Sequence, residues 1–238
     1  MAKKTTFVLV HGAWHGAWCY KRVAAPLRAR GHEVHAPTLT GLAERSHLLD
    51  GAVNVSTHIA DIANLLRWEE LTDVVLCGHS YGGMVITGVA GLVPDRIRSM
   101  VYVDAYLPEE GQNMLDMVPE VFQKSFQASA SRNGGVLVPA IPAELLAVNP
   151  RDRAWVDAQC TSQPYATFVE GVAGRAAVDR IGKRMYIYAA GWGETPFTPI
   201  YERLKEDRSW TTHAAPCGHD IMIDMPELLI ELLLEAAA

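Results

Sequence analysis

Six short runs rich in apolar and β-branched residues recur along the chain and predict six strands, at 5–12, 32–37, 72–80, 97–105, 184–191 and 209–216. The runs TTFVLVHG (5–12) and TDVVLCGHS (72–80) are almost continuously apolar, the pattern of strands buried on both faces. Between the strands the apolar spacing changes to that of helices. Residues 17–31 read as a helix stopped by Gly31 despite the internal Pro26. Residues 54–71 place Ile59, Ile62, Leu65 and Leu66 on one helical face, with Ser56 or Thr57 as the cap. Residues 81–93 form a helix crowded with small side chains, and 225–238 form a last helix with Pro226 near its first turn. Strands alternating with helices imply a mostly parallel sheet with helices on both faces.

The rhythm breaks between residues 108 and 182. That segment contains Pro108, Pro119, Pro139, Pro142, Pro150 and Pro164, and its apolar residues are spaced like several short helices. It reads as a helical lid inserted into a core made of 1–107 and 183–238. The tandem HGAWHGAW (11–18) is too short for a structural repeat and marks a loop.

Composition narrows the function classes. The chain of 238 residues can form one large domain or a domain with an insertion, and its net charge of −6 offers no basic footprint for nucleic acid or an anionic membrane. The cysteines Cys19, Cys77, Cys160 and Cys217 are scattered, without metal-ligand spacing. The apolar run after Lys3 and Lys4 is too short for a signal peptide or a membrane span. The expectation is a cytoplasmic protein with reduced thiols, acting on a small neutral or apolar molecule. A homodimer is compatible with the sequence but not required by it.

The chemistry concentrates in GHSYGG (78–83), a G-x-S-x-G placed between a strand and a helix. Ser80 would sit on a sharp turn that only flanking glycines tolerate, exposing its hydroxyl at the carboxyl end of the sheet. A serine hydroxyl needs a base. His219 is the natural one, since it follows the last strand in PCGHDIMID (216–224). His79 should point away from the serine and pack. The backbone N–H groups of Tyr81 and of Ala13, in VHGAW (10–14), are the expected oxyanion donors. Gly12, Trp14, Trp155 and Trp192 are candidates for substrate contact, with loop or core packing as the competing reading for each.

The blocks LVHGAWHGAWCY, APTLTGLAERSHL, GHSYGGMVI, VYVDAYLPEEG and GHDIMIDMPE together resemble the α/β-hydrolase fold. They are most similar to its group of esterases and hydroxynitrile lyases, which includes plant methyl-salicylate and methyl-jasmonate esterases and bacterial carboxylesterases. The resemblance runs over nearly the whole chain and is weak in the lid. It implies a Ser-His-acid esterase with a helical cap over an apolar pocket, without metal or organic cofactor. The similar lyases carry threonine where this chain has Gly12, and lysine after the catalytic histidine, where this chain has Asp220. Both differences favour hydrolysis. A lyase, or a binder that has lost turnover, are the alternatives.

The fold's usual acid would fall near Trp192, in YAAGWGETPF (188–197), and tryptophan cannot serve. Two carboxylates remain. Asp104 closes VYVDAY in the strand after the nucleophile helix, as in certain lipases, and Glu194 lies two residues beyond Trp192. Asp104 is preferred because its apolar neighbours make it a buried acid in need of a partner. Glu194 stays open as the alternative.

Overall fold

A computed structural model describes residues 4–238, so the first three residues of the lysine-bearing N-terminal segment lie outside the described residues. The strands are β1 (Thr6–Val10), β2 (Glu33–His35), β3 (Val74–His79), β4 (Ile97–Val103), β5 (Leu137–Val138), β6 (Gln163–Pro164), β7 (Lys183–Ala189) and β8 (Thr211–Ala215). Six of them form one sheet in the order β2-β1-β3-β4-β7-β8, with every pairing parallel. All six expected strands are present. The remaining two, β5 and β6, form a small antiparallel ribbon.

The near-continuous apolar runs have a physical reason. Successive strand residues point to opposite faces, and both faces are covered. Phe7, Leu9, Val75, Cys77, Val101 and Val103 pack against α1 (Lys21–Ala29) and the helix closing the chain at Pro226–Ala237. Their sequence neighbours Val8, Val10, Leu76, Met100 and Tyr102 pack against α2 (Val55–Trp68) and α3 (Gly82–Leu92). Each such buried side chain contributes about 1.5–3 kcal/mol of transfer free energy, so the sheet is the rigid element on which the site is built.

From β1 the chain crosses to β2 on one side, then returns past β1 to β3 on the other. That reversal opens a crevice above the carboxyl ends of β1 and β3, where open parallel sheets bind ligands. The loop after β1 and the turn after β3 both end there.

The helix boundaries follow local chemistry. Gly31 adopts φ +89° just past α1, as a terminating glycine should. The cap of α2 differs from the sequence expectation. Asn54 is the capping residue: its side chain accepts from Thr57 N (2.9 Å), while Thr57 Oγ1 accepts from Asn54 N (3.4 Å). Ser56 instead donates to Glu170 through both its N–H and its hydroxyl.

Between β4 and β7 lie the ribbon and four helices, α4 (Glu120–Arg132), α5 (Arg153–Gln159), α6 (Ala166–Val169) and α7 (Arg175–Arg180). The last of these is packed as part of the core: Ala177 and Val178 are buried in the α2–α3 cluster, and Gly174 backs closely onto Gly91 of α3. Three further helices follow, α8 (Thr198–Lys205), the single turn α9 (Ile221–Asp224) and α10 (Pro226–Ala237); α8 and α9 were not expected from the sequence.

Replacing Asn54 with Ala removes the side-chain oxygen that caps Thr57 N, while the bond from the Asn54 backbone N–H to Thr57 Oγ1 can remain. The expected loss is about 1 kcal/mol, read as a melting point lower by about 2–4 °C in a chain of this size.

Candidate active site

Strand β3 runs into Ser80, whose φ of +53° is a left-handed conformation rare outside glycine. The turn is tight enough that a Cβ on Gly82 would stand 2.7 Å from the Val10 carbonyl oxygen, and one on Gly78 2.6 Å from the Gly82 carbonyl oxygen. The Ser80 carbonyl accepts from Gly83 N (3.0 Å) and Tyr106 N (3.1 Å). A trans peptide directs its C=O and N–H to opposite sides, so the Tyr81 N–H points away from those donors. It meets no acceptor among the described residues.

The Tyr81 side chain is buried, and its hydroxyl donates to His58 Nδ1 (2.9 Å). His58 Nε2 donates to the Thr40 carbonyl (2.8 Å), which leaves Nδ1 bare to accept from the tyrosine. Burial pulls the His58 pKa down to about 4, and it is this that makes the ring neutral, with its one proton on Nε2 toward the carbonyl.

The loop after β1 is organised by the same logic. His11 Nδ1 donates to the Gly12 carbonyl (2.8 Å), and its Nε2 accepts from Leu39 N (3.0 Å). Burial lowers its pKa to about 3, so it is a neutral post. Holding the Gly12 carbonyl on one side turns the Ala13 N–H to the other, again without an acceptor among the described residues. Next in line, Trp14 has φ +64°; its backbone N–H donates to Gln163 Oε1 (3.0 Å) and its indole N–H to the Val138 carbonyl (3.1 Å).

At the end of β4, Asp104 also takes a left-handed turn, with φ +41°, and has no exposed surface. Its Oδ2 lies 2.6 Å from His219 Nδ1, and its Oδ1 accepts from Ala189 N (3.1 Å). The His219 backbone is held at both ends. Its N–H donates to Leu146 O (3.0 Å), and its carbonyl accepts from His79 Nε2 (3.1 Å). Trp192 packs on the imidazole with ring centroids 4.5 Å apart, and Phe197 stacks on it at 5.2 Å and 8°.

Ser80 and His219 line one cavity of about 420 Å³. Its walls are largely aromatic: Trp14, Tyr106, Phe122, Phe126, Trp192 and Phe197. The Ser80 hydroxyl makes no hydrogen bond to a described residue, and in unliganded hydrolases this bond often closes only when substrate docks.

The structure thus brings Ser80, His219, Asp104, Ala13, Tyr81, Gly12, Trp14 and Trp192 to one end of the sheet. Glu194 lines the outer part of the cavity, exposed, and makes no hydrogen bond or ion pair among the described residues. Trp155 is elsewhere. Helix α5 turns it onto Trp18 (5.1 Å, edge to face) and beneath the Arg22 guanidinium (5.3 Å), outside the cavity lining. Its aromatic character was legible in the sequence, but the face it takes depends on tertiary packing. His79 is packed as expected, 4.4 Å from the His219 ring. Phe197 was missed because nothing local distinguishes it from a core aromatic. Burial pushes the Cys77 and Cys217 thiols up to about 12, so neither supplies a thiolate. Among the described residues no group of three His, Cys, Asp or Glu side chains could hold a metal ion, and no helix is long and apolar enough to cross a membrane.

Comparison with known proteins adds to this geometry. The profile of the alpha/beta hydrolase family matches residues 7–232. A carbendazim hydrolyzing esterase of Nocardioides sp. (strain SG-4G) is 43% identical over 235 residues, covering 95% of this chain and 97% of that protein. Methyl jasmonate esterase 1 of Vitis vinifera is 34% identical over 127 residues, 52% of this chain and 48% of the grape protein. An extracellular alpha/beta-hydrolase from a Paenibacillus species superposes with a TM-score of 0.86 over 98% of both chains, at 24% identity.

The neutral His58 makes stability depend on pH. In the unfolded chain it takes up a proton near pH 6.5, and in the folded protein only near 4. Between those values the unfolded state binds more protons, so the contribution of about 3 kcal/mol is full above pH 6.5 and is lost as pH falls toward 4. Urea unfolding at pH 7 and pH 4.5 should show a smaller loss for His58→Gln than for the parent; equal losses would contradict the assignment.

Proposed function

The chain belongs to the alpha/beta hydrolase family, and from that premise we propose that it is a carboxylic-ester hydrolase working through an acyl-enzyme on Ser80. The observation that carries this reading is the buried Asp104–His219 bond of 2.6 Å, with the histidine facing the cavity that Ser80 also lines.

In this reading His219 Nε2 takes the Ser80 proton as the hydroxyl attacks the acyl carbon. Asp104 fixes the tautomer and stabilises the imidazolium that forms. The N–H groups of Ala13 and Tyr81, whose peptide planes are oriented by bonds on their carbonyl sides, receive the oxyanion. His219 then protonates the leaving alcohol, and a water activated by the same imidazole releases the acid. Segment 108–182 acts as the cap: Phe122, Phe126 and Leu146 close the aromatic cavity, which suits a small to medium apolar ester. Four unpaired cysteines fit a reducing, cytoplasmic setting.

Two residues oppose the lyase alternative. A Cβ at Gly12 would lie 2.8 Å from His79 Nδ1 and 2.9 Å from Ser80 Cβ, leaving no room for a threonine. Asp220, where the similar lyases carry lysine, supplies no cation for a leaving cyanide, and its carboxylate is turned to His15 and does not line the cavity.

With a panel of p-nitrophenyl esters, Ser80→Ala should abolish turnover. Asp104→Asn should lower kcat about 10³- to 10⁴-fold in a folded protein, while Glu194→Gln stays near the parent. A near-normal Asp104→Asn together with a crippled Glu194→Gln would move the acid to Glu194.

A further inference from the structure

Behind His219 lies a second histidine–carboxylate contact that the proposed chemistry does not use. Asp220, the residue after the base, has no exposed surface, and its Oδ2 is 3.0 Å from Nε2 of His15, which is 1% exposed. The other nitrogen of His15, Nδ1, is 2.8 Å from the Ala13 carbonyl oxygen. A carbonyl and a carboxylate can only accept, so His15 must donate from both nitrogens and is an imidazolium. This separates it from His11 and His58, each of which donates once and accepts once.

The ring is stacked on Trp18 at 5.1 Å and 19°. The groups facing the pair are His79, with Nε2 3.7 Å from Asp220 Oδ1, and His219, Cys19 and Cys160. Burial opposes both charges. The Asp220 charge and hydrogen bond outweigh it and raise His15, while His15 above all, then His79 and His219, keep Asp220 well below the usual carboxylate range.

We propose that His15 and Asp220 are positioning residues: a buried imidazolium–carboxylate clamp that sets the Ala13 oxyanion loop against the His219 loop. The sheet cannot do this alone. Strands β1 and β8, which deliver the two loops, are separated by β3, β4 and β7, a span of about 19 Å at 4.8 Å per strand. The clamp bridges that span with two hydrogen bonds, fixing the Ala13 carbonyl at one end and the residue next to the base at the other. Because the pair is neutral as a whole, it acts by geometry more than by its field on His219.

The inference rests on the Ser80–His219 reading, so the test begins with stoichiometric labelling of the parent at Ser80 by an organophosphonate. Absence of labelling would overturn the active-site reading itself. The informative variant is the double substitution His15→Phe/Asp220→Leu. It keeps the stacking volume and removes both charges, an exchange that buried ion pairs commonly tolerate without loss of stability. It should melt near the parent, yet show kcat lower by about 10- to 100-fold, the scale of a misplaced catalytic group, with KM little changed. Affinity for a trifluoromethyl ketone, which forms a tetrahedral adduct, should fall by the same factor, and affinity for the matching unreactive alcohol should not. Asp220→Ala, which removes the bond to His15, is read in the same way below its melting temperature and keeps the test independent of how the double variant folds. Parental kcat and ketone affinity in the folded variants would overturn the clamp. So would equal weakening of ketone and alcohol, the mark of a merely structural role.

Discussion

The 2.6 Å contact between Asp104 and His219 joins two groups that have almost no exposed surface, and in such surroundings neither is stable without a partner. The effective penalty for burying an ion is several kcal/mol even after relaxation. Asp104 therefore has both oxygens engaged, one by the imidazole and one by the Ala189 N–H of the neighbouring strand. That requirement determines where the loop after β8 must lie and which nitrogen of His219 faces the cavity. It also explains the left-handed turn at Asp104: the chain leaves β4 so as to keep the carboxylate inside while the next residues climb toward the insertion.

Around this contact, histidines act as fixed connectors. His11 orients the Gly12–Ala13 peptide, His58 anchors Tyr81, and His79 holds the carbonyl of His219. Burial keeps His11, His58 and His79 neutral, and only a buried carboxylate makes His15 different. The polar groups at the active end of the sheet thus define one arrangement of peptide planes, which an apolar filling of equal volume would leave free to rotate.

Much of this was legible in the sequence because it is local. A two-sided apolar strand, a glycine-flanked serine before a helix and a histidine after the last strand each declare themselves within about ten residues. Asp104 was legible for a related reason, as an acid closing an otherwise apolar run. What stayed hidden depends on contacts between distant segments. His15 and Asp220 are 205 residues apart, and neither looks unusual beside its own neighbours. Trp155 belongs to an insertion whose helical faces are set by packing alone. At the start of α2, Asn54, Ser56 and Thr57 all have capping chemistry, and the choice among them depended on where Glu170 lies to engage Ser56.

In the proposed mechanism the loop of residues 190–197 has no carboxylate duty. Trp192 donates its indole N–H to Leu145 of the insertion (2.9 Å) and, with Phe197, presses on the imidazole from the cavity side. The groups proposed to do the chemistry sit on strand ends and their turns, while this loop and the insertion supply the walls. The two can then diversify independently. Descendants of this chain could exchange Trp192, Glu194 or Phe122 for new tastes in substrate without disturbing the bond at the end of β4, a modularity that a loop-borne acid would forbid.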